Sequence, residues 1–333
     1  MKNKYVFVAV MLCAILLLSV SFTGLYVKES SNSDIGNDEQ LTIVTSFYPM
    51  YVAVSNLVDG INGIRVRNLS EPQTGCLHDF QLTPEDMKLL SGADVFVVNG
   101  GGIENFISDV ATAYPKLQIV QACEGMSLLG SEGHVHEEEE DHDHDAIHEE
   151  LHEEEDGHGH DHGEENAHAW MSVASYREQI THITEHLADI FPQYGEFITE
   201  NSKLYDDQLA ELQAQQEELR GLVKGQEVIL FHEAYAYVAQ DYGLEVAMVM
   251  DLDEERQVSA GEVAQVLEEI REHGVSMIFA EERYGKEMGD TIQKEVDVDV
   301  IYLDTLNRGN YEKDSYLVGM QSNIDLLRQV FIK

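Results

Sequence analysis

From residue 41 onward the chain alternates short apolar runs with longer stretches of helical period. The runs at 41–45, 64–69, 94–98 and 117–121 have the length and β-branched content of strands. Helical stretches at 50–58, 84–90 and 103–113 fall between them. The same alternation returns later, with strands at 227–231, 245–250, 276–280 and 298–303 and helices at 234–241, 260–273, 286–296 and 314–331. Strands separated by helices build a parallel sheet with helices on both faces. Between the two regions a helix starts near Ser172 and is broken by Pro192. Residues 193–222 then run without proline, with Phe197, Leu204, Leu209, Leu212 and Leu219 at roughly helical spacing. The pattern predicts an α/β chain of two lobes, 41–191 and 225–333, joined by one long rigid helix over 192–224. Lobes of this kind hold ligands at the carboxyl ends of their strands.

The first 40 residues break the pattern. Lys2 and Lys4 precede an uncharged, largely apolar run over 5–27, and 28–40 is a polar tether expected to be disordered. Residues 1–27 read as a secretory signal peptide or, since the run can span a bilayer and shows no clean cleavage site, as an uncleaved membrane anchor. Cys13 has no small residues before it and reads as part of that run. Either reading puts residue 41 onward outside the cytoplasm, on the outer membrane face or in the periplasm.

Composition sharpens the picture at one place. Residues 132–165 carry nine histidines, seventeen acids and no Lys or Arg. The segment cannot bury a core, but neutral imidazoles interleaved with carboxylates bind divalent metal at low affinity. The histidines are His134, His136, His142, His144, His148, His152, His158, His160 and His162. The whole chain has a formal net charge of -43, which repels nucleic acid and anionic lipid and attracts cations. The cysteines Cys76 and Cys123, in an oxidising compartment, read as a disulfide. The alternative is that Cys76, two residues before His78, is a thiolate ligand.

Outside the acidic segment, His182 and His186 lie one turn apart with no third ligand nearby, and read as a solvated face. His273 precedes Gly274 and reads as a helix end cap. His78, His168 and His232 differ, because each falls at a strand end or a loop-to-helix junction, where a cleft would take its ligands.

The stretches GCLHDFQLTPEDMKLL, HAWMS, FHEAYAY, IFAEERY and VIYLDTL, in that order, resemble the zinc-type solute-binding proteins of metal ABC transporters, over about residues 41–333. The resemblance implies two α/β lobes, metal bound between them, and delivery of that metal to a membrane permease and its ATPase. It implies His78 and His168 as ligands from the first lobe, His232 and Asp304 from the second, and Glu281 behind them or at the lobe interface. Leu77 and Val173 stand where the family pattern often has other residues. Three imidazoles and one carboxylate suit tetrahedral Zn2+. A carboxylate in place of His232 would suit manganese better. The expectation is therefore a monomeric, non-enzymatic zinc receptor with Zn2+ as its transported ligand, losing metal below about pH 6 as imidazoles protonate. A manganese/iron-type receptor, a metal-dependent surface adhesin, a zinc-storage protein and a zinc hydrolase are the alternatives. The last lacks an H-E-x-x-H motif.

Overall fold

The computed structural model describes residues 40–332 except 72, 76, 79, 131–164, 251 and 253–257. The N-terminal apolar run, the tether, the nine clustered histidines and Cys76 lie outside the described residues. The first four apolar runs become β1 (Leu41–Thr45), β2 (Ile64–Asn68), β3 (Val95–Val98) and β4 (Gln118–Gln121). They pair in the order β2-β1-β3-β4, with β3 parallel to both β1 and β4. All four residues of β3 (VFVV) are buried, as a strand covered on both faces requires. In β2, IRVRN alternates half-buried and exposed positions, as an edge strand does.

Helices α1 (Tyr48–Leu57), α2 (Pro84–Leu90) and α3 (Ile107–Ala113) connect these strands. A short antiparallel ribbon, β5 (Leu129–Gly130) with β6 (Glu165–Asn166), pairs the chain on either side of the histidine-rich segment. Then come α4 (Val173–Ile190) and the 29-residue α5 (Gly195–Val223).

The second lobe follows as β7 (Glu227–Leu230), α6 (Tyr235–Tyr242), β8 (Glu245–Val249), α7 (Ala260–His273), β9 (Met277–Ala280), α8 (Glu282–Glu295), β10 (Asp299–Tyr302) and α9 (Ser315–Phe331). Its strands lie in the order β10-β9-β7-β8. Read from β8, this wiring repeats that of the first sheet. In each sheet the first and third strands are central neighbours, and chain direction diverges beyond them, which opens a crevice at their carboxyl ends.

The long helix packs on α1 and α4 of the first lobe and on α6 and α9 of the second. Its buried face is Ile198, Tyr205, Leu209, Leu212, Gln216, Leu219 and Val223. Phe197 and Leu204, expected on that face, are 61% and 58% exposed. The stripe is shifted by one residue because Ile198 and Tyr205 are equally apolar neighbours and take the inner positions.

Two helix starts differ from the pattern. The stretch before α3 does not enter the helix until Ile107, because the Glu104 carboxylate turns back and accepts hydrogen bonds from the backbone N–H of Asn99 (2.7 Å) and Gly100 (2.9 Å) and from Ser46 Oγ (2.7 Å). Burial raises the Glu104 carboxyl to about 7. Conversely, α8 begins at Glu282, ahead of the expected 286, and carries two glycines. A Cβ on Gly285 would stand 2.9 Å from Ala280 Cβ, and one on Gly289 2.6 Å from the Tyr302 hydroxyl. These glycines let the helix approach the sheet closely.

The expected Cys76–Cys123 disulfide involves Cys76, which lies outside the described residues. Among the described residues Cys123 is a free, buried thiol, packed against Gln179, whose Nε2 lies 3.0 Å from its sulfur. Burial holds that thiol up at about 12, so it stays protonated and unreactive.

Residues 303–314, between β10 and α9, form a strap that crosses from the second lobe onto the first. Gln73 Nε2 donates to Gly309 O (2.8 Å) and Asn56 Nδ2 to Lys313 O (2.9 Å). Tyr48 donates its hydroxyl to Asn310 O, and Lys313 pairs with Asp59. The Tyr51 and Tyr311 rings lie 4.5 Å apart.

A second tie between the lobes lies under α4, where Ser172 Oγ donates to Asp241 Oδ1 at 2.8 Å. Burial raises the Asp241 carboxyl to about 7 from an ordinary 3.8, outweighing that hydrogen bond. A folded-state value above the unfolded one means the native chain binds the proton more readily. Stability therefore falls as pH rises from about 4 to 7, and the full penalty persists above. Asp241→Asn keeps an acceptor for Ser172 and removes the charge. Its melting temperature relative to wild type should be higher at about pH 8 than at about pH 5. Thermal unfolding at the two pH values checks this, and an equal or reversed difference contradicts it.

Candidate metal centre

His78 enters from the loop between β2 and α2. Thr83 and Asp86 fix the end of that loop by a reciprocal capping box at the start of α2. His168 follows β6 and precedes a single 3-10 turn, Ala169–Met171. His232 lies two residues beyond β7, in the turn that starts α6. These three come from three separate connections and converge.

His168 is fully buried. Its Nε2 lies 3.4 Å from His78 Nε2. Its ring is 5.2 Å from that of His78 and 5.0 Å from that of His232, centroid to centroid. On its other side, Nδ1 faces Asn166 Oδ1 at 2.9 Å and Glu233 Oε1 at 3.4 Å. Two acceptors on Nδ1 assign the proton there. Nε2 is then left with its lone pair toward His78, so the short contact is closed by the Nε2–H of His78. Burial, and then the nearby His232 and His78, hold His168 well below the ordinary imidazole value, so it stays neutral and ready to donate its lone pair.

One nitrogen each of His78 and His168 and one carboxylate oxygen of Glu233 lie within 4.8 Å of one another. Glu233 was missed by sequence reasoning. An acid beside a candidate histidine at a helix start reads as a favourable helix N-terminal charge, and nothing in the spacing separates the two roles. His232 takes part through its ring contact with His168, while its Nδ1 accepts from the Ala234 N–H at 3.1 Å. Accepting at Nδ1 puts the proton of a neutral His232 on Nε2, so a lone pair at Nε2 requires the proton to move to Nδ1 and the Ala234 bond to be given up.

Asp304 follows β10 and Glu281 follows β9, both at carboxyl ends. They line one cleft with Tyr302, Leu303 and Asn323. Asp304 Oδ1 accepts from the Leu306 N–H at 2.8 Å, and Asn323 brackets its backbone. Burial raises its carboxyl above the usual range. Burial also raises Glu281, with Arg308 opposing. Among the described residues, neither acid joins the 4.8 Å group. The two lobes are tied beside His168 by Trp170, whose Nε1 donates to Thr305 O (2.9 Å) and whose ring lies 5.1 Å from that of His168.

His182 Nδ1 lies 3.2 Å from Ala122 O and His186 Nδ1 2.9 Å from His182 O. His273 ends α7 before the left-handed Gly274 and approaches Glu269 at 3.7 Å. All three remain apart from the convergent group, as their sequence context suggests.

The family model described as "Zinc-uptake complex component A periplasmic" matches residues 43–330. The high-affinity zinc uptake system protein ZnuA of Bacillus subtilis is 27% identical over 296 residues, covering 87% of each chain. The zinc-binding protein AdcA of Streptococcus pyogenes is 28% identical over 303 residues, which span 87% of this chain and 56% of AdcA. The solute-binding protein FpvC of Pseudomonas aeruginosa, solved with Ni2+, superimposes with a TM-score of 0.70 at 22% identity, covering 88% of this chain and 97% of that one. The same protein has been solved with Mn2+.

Proposed function

The chain belongs to the family of the periplasmic zinc-uptake complex component A, and on that premise we propose that it captures one Zn2+ between its lobes and delivers it to an ABC permease. Members of this family are metal-binding solute-binding proteins, not enzymes. His78, His168 and His232 supply imidazoles and Asp304 the carboxylate. Glu233 stands behind His168, on the nitrogen that does not face the ion, and orients the ring as an outer partner. The observation that carries the reading is the 3.4 Å approach of the two Nε2 atoms from separate connections. The second support is that one of these rings is buried and held neutral. An imidazole-rich set favours zinc over the harder manganese.

The nine histidines of 132–165 collect ions at low affinity, and the chain's negative charge raises local cation concentration. The N-terminal segment places the chain at the outer face of the membrane or in the periplasm. Among the described residues no helix is long and apolar enough to cross a membrane. The chain acts as a monomer toward a permease and ATPase.

Chelator competition on the full chain lacking residues 134–162, with zinc and with manganese, tests this. One tight zinc per chain and weaker manganese are expected. Tighter manganese turns the reading into a manganese receptor. No tight zinc without the loop makes the protein a metal-storage chain.

A further inference from the structure

Arg308 sits midway along the strap and forms an ion pair with Glu281. Its Nη1 lies 2.7 Å from Glu281 Oε1, and the two side chains are only 13% and 16% exposed. Nη2 contacts the Tyr284 hydroxyl at 2.9 Å, and Nε donates to Gln73 O at 3.2 Å. The guanidinium presses on Gly75 of the first lobe, where a Cβ would stand 2.2 Å from Nη2 and where φ is +89°. Only glycine fits that socket without strain. Three residues later the same loop presents His78. The guanidinium thus rests on the loop of one candidate ligand and neutralises an acid that shares a cleft with another, Asp304.

This arrangement bears on which carboxylates are available to metal. Glu281 and Asp304 end adjacent strands, and without the guanidinium they would offer two carboxylates together. Two carboxylates with imidazoles make an oxygen-rich set of the kind manganese favours; one carboxylate with three imidazoles makes a set suited to zinc. Arginine fits the task because it stays charged at any physiological pH and holds a carboxylate by directed N–H bonds.

We propose that Arg308 is a specificity-determining residue, which acts by withholding Glu281 from the metal and so keeps the interlobe site selective for zinc over manganese. It is a positioning residue, since it works through Glu281 and touches no ion itself. The inference rests on the zinc-receptor reading above. A guanidinium that only repelled cations would weaken zinc and manganese alike and leave their ratio unchanged. One that masks a carboxylate changes the ratio.

The test is the zinc-to-manganese affinity ratio of the full chain lacking residues 134–162, in wild type, Arg308→Gln and the double variant Arg308→Gln/Glu281→Gln. The ratio should fall on the order of tenfold in Arg308→Gln, mainly through tighter manganese, and return to the wild-type value in the double variant. Arg308→Met keeps an apolar stem in the Gly75 socket and should lower the ratio in the same direction, so the result does not depend on one substitution folding. A ratio unchanged in both single variants, with wild-type zinc binding intact, overturns the proposal alone. So does a lowered ratio that Glu281→Gln fails to restore, because Arg308 then acts by seating the lobes. Wild type without tight zinc overturns the zinc-receptor reading and this proposal with it.

Discussion

Replacing His168 by Ala should abolish tight zinc binding while leaving a folded chain. The loss should exceed the roughly 10–100-fold that removal of an outer-shell partner costs, because a ligand atom itself is deleted. Three observations make His168 the residue to choose. It contacts the rings of both other candidate histidines. It is fully buried and held neutral, so it competes with protons less than an ordinary imidazole would. It is also held through Nδ1 by Asn166 and Glu233, which leaves its orientation little freedom. His168→Gln fills more of the volume and separates loss of ligation from loss of packing. Both variants should lose zinc, and isothermal titration at about pH 7.5 reads it. Zinc retained in His168→Ala within about threefold of wild type would remove His168 from the ligand set and, with it, the carrying observation for the interlobe site.

The largest effect on stability is expected from Trp170→Ala. Trp170 is fully buried, packs edge-on against Phe47 at 5.0 Å and donates its Nε1–H to Thr305 O, while its backbone carbonyl accepts from the Tyr316 hydroxyl at 2.8 Å. The side chain thus joins the end of β1 in the first lobe to the strap of the second. Truncating a buried tryptophan costs about 3–5 kcal/mol through lost transfer energy and the cavity left behind, and the Thr305 carbonyl loses its donor. A chain of this size should melt roughly 6–15 °C lower. Trp170→Phe keeps the aromatic contacts and should cost only the hydrogen bond, about 1–3 kcal/mol. Differential scanning calorimetry measures both. A shift under about 2 °C for Trp170→Ala would mean the lobes are not tied there. Because Trp170 is the chain's one tryptophan, its emission also reports on the His168 ring beside it without background.

The sequence made the strands legible almost residue by residue, because central strands such as VFVV and MIFA are continuous apolar runs that no solvated element tolerates. It also pointed to His78 and His168, since polar side chains at the carboxyl ends of sheets need a reason to be there. What it could not deliver depends on contacts distant in sequence. Phe197 and Ile198 are equally apolar, and only packing against α1 and α4 decides which one faces inward. The need for glycine at 285 and 289 shows only when Ala280 and Tyr302 are placed against them. Glu233 and Arg308 were passed over because an acid at a helix start and a base in a loop are ordinary surface residues in one dimension. Their roles appear only when His168 and Glu281 are set beside them.

The strap also sets an order of events in synthesis. Tyr48 makes its hydroxyl bond with a residue 262 positions later, and Asn56 with one 257 positions later. The first lobe can form its own sheet early, but its outer face toward the strap is finished only when the last fifth of the chain has been made. Contacts this remote are the slow ones to close. Until they close, the second lobe is not fastened to the first through the strap.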